Sequence, residues 1–323
     1  MSDLDDGYID LHHHVIPDFF RDALQAHTPN IGGAAGLSKL QIPAWSAPAA
    51  ISLMDEASIA VGVASLSFGV HFGDDAKAAR LARRSNEFIA DLVRARPDRF
   101  GGFAVLPLPA VDAALDELAH ALDVLHLDGV VLSTNYGGVY LGDPRFDEVF
   151  DELQRRKAVV FVHPTASPDP SAHALGLPDF LIDFVADTTR AVAKLHYSNT
   201  FRRTPDVKYV FAHAGGTIPY LTSRFTLLDR LAAMPGHEDR PPATEMFRRL
   251  YWDTAIAFTQ PVVQLVQKVA GTSQIVYGSD YPFTPGFPAE STRSLSSAEY
   301  LAIEDRTAIA RTNALALLPR LAR

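Results

Sequence analysis

Short apolar, often β-branched runs alternate with longer stretches of helical periodicity along the chain. The runs are Tyr8–His12, Val63–Phe68, Phe103–Leu106, Gly129–Ser133, Val159–His163, Lys208–His213, Leu250–Thr254 and Gln274–Tyr277. Their continuous apolar character predicts strands buried on both faces. Between them, Ala78, Leu81, Phe88, Ile89 and Leu92 recur at helical spacing in Asp75–Arg96, until Pro97 ends the run. Leu115, Leu118, Leu122 and Leu125 mark a second helix. A third opens on Asp143-Pro144, a cap followed by a first-turn proline, and closes on the basic Arg155-Arg156-Lys157. Ile182–Tyr197 and Glu299–Leu318 read as two more. Eight strands alternating with helices predict a (β/α)8 TIM barrel rather than an open doubly wound sheet. No GxGxxG or P-loop follows the first strand, which argues further against a nucleotide-binding fold. Pro17–Pro48, carrying Gly32-Gly33 and Gly36, reads as an inserted loop region after strand 1, at about residues 17–50. Pro235–Pro242 is a second irregular stretch. With no linker, repeat or low-complexity tract, residues 1–323 are expected to form one domain.

Composition narrows the function. Of 323 residues, 47% are hydrophobic and 21% charged, enough apolar material for a large core. The formal net charge is −9 and no basic run exceeds Arg202-Arg203, which excludes nucleic acid as the expected partner. The absence of cysteine removes disulfides, thiolate nucleophiles, iron–sulfur clusters and zinc ribbons together. The acidic start Met1–Asp6 lacks the apolar stretch of a signal peptide, and no run has the roughly 18 apolar residues of a membrane span. A soluble, cytoplasmic protein is expected.

The chemistry concentrates at strand ends. In Asp10-Leu11-His12-His13-His14, residues i and i+2 of a strand share a face, so His12 and His14 converge while His13 points the other way. His163 closes the fifth run, His213 the sixth, and Asp280 follows the eighth. Carboxyl-terminal strand ends are where barrel enzymes gather their catalytic groups. Three imidazoles (His12, His14, His163) and the Asp280 carboxylate make a mixed nitrogen and oxygen set suited to one divalent metal ion, zinc first and manganese second. A metal-bound carboxylate can also pass a proton, and His213 is either a fifth ligand or an acid–base group beside the metal. Phe283, three residues after Asp280, can stack on a flat substrate or simply pack in the core. Arg224 can clamp a carboxylate or sit in a surface ion pair. His71 and His173 would fall on the catalytic rim. His120, His126 and His196 read as structural, and His27 and His237 as surface residues.

These motifs resemble the metal-dependent decarboxylase branch of the amidohydrolase superfamily. The resemblance rests on Asp10–His14, Arg96-Pro-Asp-Arg-Phe100, Leu141-Gly-Asp-Pro144, Val162-His163-Pro164, Ala212-His-Ala-Gly-Gly216 and Tyr277-Gly-Ser-Asp280-Tyr-Pro-Phe283. Asn135-Tyr-Gly-Gly138 and Arg155-Arg-Lys157 bring it nearest to the 6-methylsalicylate and uracil-5-carboxylate decarboxylases. The resemblance implies metal ligation by His12, His14, His163 and Asp280, with His213 steering a metal-bound water or substrate group. It implies that Phe283 lies against the substrate ring. It also implies a homodimer in which Arg224 reaches the substrate carboxylate in the neighbouring site. Members acting on dicarboxylates carry a second arginine after strand 1; Gln41–Ala50 has Trp45 but no arginine, which favours an aromatic or pyrimidine monocarboxylate.

Two other readings share these residues. A metal hydroxide steered by His213 and Asp280 would instead hydrolyse an amide, ester or lactone, or hydrate a double bond. A metal-holding protein that only binds aromatic acids is the non-enzymatic alternative.

Overall fold

The computed structural model describes residues 7–27, 42–165, 175, 177–231, 240–284 and 286–322. Eight parallel strands form one sheet in chain order: β1 (Tyr8–His14), β2 (Ile59–Ser65), β3 (Phe100–Val105), β4 (Gly129–Ser133), β5 (Val159–His163), β6 (Lys208–Phe211), β7 (Tyr251–Asp253) and β8 (Ile275–Val276). Backbone hydrogen bonds return the last strand to the first. Leu11 N donates to Tyr277 O at 3.0 Å, Asp280 N to His12 O at 2.9 Å and His14 N to Tyr281 O at 2.8 Å. With helices in the connections, this is a nearly closed (β/α)8 barrel, as the alternation of runs predicts.

Some boundaries move. β2 starts at Ile59 rather than Val63, and Leu66–Phe68 has already left the ladder. β3 begins at Phe100 because Gly101 and Gly102, which look like a break in the apolar run, pair with Val63 and Ala64. β6 stops at Phe211, since the chain enters the left-handed region at His213 and Ala214. The C-terminal helix starts at Ile303 and carries a widened turn at Ala308–Thr312. The segment after β1 has a helix at each end, Asp18–His27 and Ala47–Glu56. Residues 28–41, including Gly32-Gly33 and Gly36, lie outside the described residues, as do His173, His237 and most of the Pro235–Pro242 stretch.

β1 carries a bulge: Asp10 pairs with Gly62 and His13 with Ala64, so three steps on β1 match two on β2. The barrel interior beneath the carboxyl ends is aromatic. Phe161 stacks on Phe103 with centroids 6.0 Å apart, and the His12 ring stands 4.9 Å from Phe161. On β5, Phe161 and His163 share the inward face by strand alternation. Among the described residues no helix is long and apolar enough to cross a membrane.

Candidate metal centre

The four residues read as ligands meet at the carboxyl-terminal end of the barrel. One donor atom from each of His12, His14, His163 and Asp280 lies within 4.8 Å of the others, and all four residues are buried. Donors about 2.0–2.2 Å from a shared cation stand at most about 4.4 Å apart.

Each imidazole is aimed by its other nitrogen. His12 Nδ1 donates to Asp253 Oδ2 at 2.7 Å. His14 Nδ1 donates to Ser65 Oγ at 3.2 Å, the hydroxyl itself donating to His13 O at 3.4 Å. Both Nε2 atoms are left facing inward, 3.0 Å apart, with Asp280 Oδ1 at 3.2 Å from His12 and 3.3 Å from His14. His163 packs edge-on against both rings, with centroids at 5.0 and 4.8 Å. Its Nδ1 is buried without a hydrogen-bond partner among the described residues.

Such a group of lone pairs around a carboxylate oxygen demands a positive charge. Burial lowers the His14 imidazole to about 4, Asp280 lifting it only partly. Burial, with the neighbouring imidazoles, likewise holds His163 well below its ordinary value. Burial also opposes charge on His12, but Asp253 and Asp280 together outweigh it and raise His12 to about 10. Asp280 is held well below the usual carboxylate range: burial pushes it up, and His12, His14 and His213 more than reverse that. Near neutrality His14 and His163 are neutral and Asp280 is ionised, the protonation states of metal ligands. In the metal-free protein the required charge is a proton on His12. The residues present thus fit a divalent cation.

The backbone is shaped for this purpose. Asp280 (φ 59°), His213 (φ 55°) and Ala214 (φ 55°) occupy the left-handed region, where non-glycine residues cost about 1–3 kcal/mol and cluster at functional sites. A side chain at Gly278 would place its Cβ 2.8 Å from His12 Cβ and 3.2 Å from Asp253 Cβ, so glycine is what lets those two residues lie side by side. Asp10 joins β1 to the segment after β8: its carboxylate accepts from His12 N (3.1 Å), His13 Nδ1 (3.0 Å), Ser279 N (3.0 Å) and Ser279 Oγ (2.5 Å). His13 faces away, stacked on Tyr281 with centroids 4.8 Å apart.

The other candidates fall in different places. His213 stands outside the four-donor group, with Nε2 3.5 Å from Asp280 Oδ2 and its backbone N donating to Asp253 Oδ1 at 2.7 Å. Phe283 borders the centre, its ring 5.8 Å from His14 and 5.9 Å from Phe68. Arg224 is exposed on the helix Ile218–Leu231 and makes no ion pair among the described residues. Both nitrogens of His71 are engaged, Nε2 with Asp75 at 2.7 Å and Nδ1 with Gly73 N at 3.3 Å, so it is tied to its own loop and helix. Asp253 is absent from the motifs singled out in the sequence. Its signal was the one that marks His163, a polar residue closing an apolar barrel strand.

Comparison with known proteins bears on the fold as a whole. The amidohydrolase family model matches residues 9–320. The decarboxylase yanB of Aspergillus niger is 34% identical over 97% of this chain and 87% of its own. The 6-methylsalicylic acid decarboxylase acuB of Aspergillus aculeatus is also 34% identical, over 98% of this chain and 97% of its own. A solved amidohydrolase II structure, 28% identical, superposes with a TM-score of 0.89, covering 97% of this chain and 99% of that one.

Proposed function

The chain belongs to the amidohydrolase family, and from that premise we propose that it is a metal-dependent, non-oxidative decarboxylase of an aromatic or pyrimidine monocarboxylic acid resembling an ortho-hydroxybenzoate. The observation that carries the reading is the buried set of three imidazoles and one carboxylate at the barrel's carboxyl end. The names of the related decarboxylases support it.

In this reading His12, His14, His163 and Asp280 hold one divalent ion, zinc by the imidazole-rich donor set, with manganese the second choice. That ion, when bound, supplies Lewis-acid charge for the substrate carboxylate and a neighbouring oxygen. Phe283 lies against the substrate ring. Asp280 delivers a proton to the ring carbon that bears the carboxylate. The carbon–carboxylate bond then breaks, its electron pair returns to the ring, and carbon dioxide leaves. Asp280 is ionised before substrate binds, so it has to take up within the cycle the proton that it delivers. His213, 3.5 Å from Asp280 Oδ2, resupplies that proton.

We further assign Arg224 to the substrate carboxylate of a second copy of the chain. Tyr220, Leu227 and Leu231 lie on its face of the helix by their spacing, 79%, 58% and 61% exposed, and a homodimer would cover them. Sedimentation at working concentration reads that state directly.

The deciding experiment is carbon dioxide release from metal-analysed protein, before and after chelation, across ortho-hydroxy aromatic and pyrimidine carboxylates. The expected result is release that chelation abolishes and zinc or manganese restores. Stoichiometric metal with no release, together with cleavage of esters, amides or lactones, would overturn decarboxylation in favour of hydrolysis.

A further inference from the structure

Asp187 is a fully buried carboxylate on the helix Asp183–Tyr197, and the reaction proposed above gives it no role. It gathers donors from two separate exits of the barrel. From the end of β4 come Thr134 Oγ1, in a very short contact, and Asn135 Nδ2 at 3.2 Å. From the hairpin that follows comes Tyr140 OH at 2.5 Å. From the segment just after His163 comes Thr165 N, at 3.4 Å from Asp187 Oδ2 and 3.2 Å from Thr134 Oγ1. Thr134 N also donates to His163 O at 3.0 Å, so the same knot holds the backbone at His163 and two residues after it.

The helix is anchored on its other side to the turn after His213. Thr217 N donates to Thr189 Oγ1 at 2.9 Å. Gly216 (φ 67°) runs so close that a Cβ there would lie 2.1 Å from Val185 O. A single rigid element thereby spans the chain following His163 and the chain following His213.

We propose that Asp187 is a positioning residue that fixes His163 for metal binding through Thr134 and Thr165. The proposal rests on the reading of His163 as a ligand. Asp187→Asn replaces one accepting oxygen with an amide group that faces hydroxyl and amide donors, so the knot loosens while the helix keeps its shape.

The test is zinc affinity, by competition with a chromophoric chelator, alongside circular dichroism of the metal-free protein. Asp187→Asn is expected to fold and to bind zinc about 10–100-fold more weakly. Affinity within twofold of the parent overturns the role. Should that variant fail to fold, Thr134→Val and Tyr140→Phe each remove one hydroxyl with little change of shape. Thr134→Val, which also takes from Thr165 N the nearer of its two acceptors, must then weaken zinc binding more than Tyr140→Phe; equal or absent effects overturn the proposal. A parent protein that binds no zinc overturns the ligand assignment itself, which separates the two failures.

Discussion

Asp280 and Asp187 are both buried carboxylates near the carboxyl end of the barrel, yet their surroundings are opposite in kind. Asp187 is met by two hydroxyls, a side-chain amide and a backbone N–H, all of them donors. Asp280 is met by imidazole Nε2 atoms of His12, His14 and His213, on a backbone at φ 59°. A buried carboxylate surrounded by neutral donors is satisfied and serves as a structural knot. One surrounded by imidazole lone pairs is satisfied only by an added cation or proton. Burial alone does not distinguish a functional acid from a structural one; the polarity of its partners does.

The sharpest way to break the comparison is Asp280→Asn. The amide keeps the shape and can still face the imidazoles, but it cannot carry the proton. Turnover is expected to fall by about 10³-fold or more, with metal content by elemental analysis largely retained. Full activity in the metal-loaded variant would remove Asp280 from proton transfer.

Acidity separates the two sites next. In metal-free protein, burial holds His14 at about 4, while an unfolded imidazole titrates near 6.5, so the unfolded chain binds more protons between those values. Stability from His14 is therefore present above pH 6.5 and is lost as pH falls toward 4, by about 3 kcal/mol in all. His12 has the opposite sign. Its value of about 10 means that its contribution is complete below 6.5 and is lost as pH rises through 10. Around Asp187 no donor titrates in this window, Tyr140 being pushed up to about 12 by burial and by Asp187 itself. Thermal midpoints of chelated protein should peak near pH 6.5 and fall on both sides. A flat profile from pH 4 to 10 would contradict the protonation states assigned to the centre.

The barrel and the cluster of candidate ligands at its carboxyl end were legible because both follow from local rules. Strand alternation aligns His12 with His14, while His163 ends one apolar run and Asp280 follows another shortly after its end, both runs reading as buried strands. The supporting residues were harder to find because their roles depend on contacts across the fold. Asp253 is 241 positions from His12, and Asp187 is 53 from Thr134. Asp187 did leave a trace: with Ala191 and Leu195 it lies on the buried face of its helix, where an acid is out of place. The glycine pair in β3 was misleading in the other direction, since glycine reads as a break even where the ladder continues. Arg224 shows a further limit, for its proposed partner lies on another copy of the chain.

The smallest effects test whether the two imidazoles of β1 are held alike. His12 is supported by a carboxylate at 2.7 Å that also accepts the His213 backbone N–H; His14 is supported by one neutral hydroxyl at 3.2 Å. A charge-assisted bond to an imidazole is roughly twice as strong as a neutral one, and it raises the basicity of the ligating nitrogen. Asp253→Asn is therefore expected to weaken zinc binding by about 10–100-fold, and in metal-free protein to lower the proton affinity of His12 seen by NMR titration. Ser65→Ala removes a bond worth only about 1 kcal/mol, so zinc binding should weaken less than about tenfold and the His12 titration should stay in place. If Ser65→Ala costs as much as Asp253→Asn, orientation of the rings matters more than their charge, and the carboxylate at Asp253 is acting as a spacer rather than as an electrostatic partner.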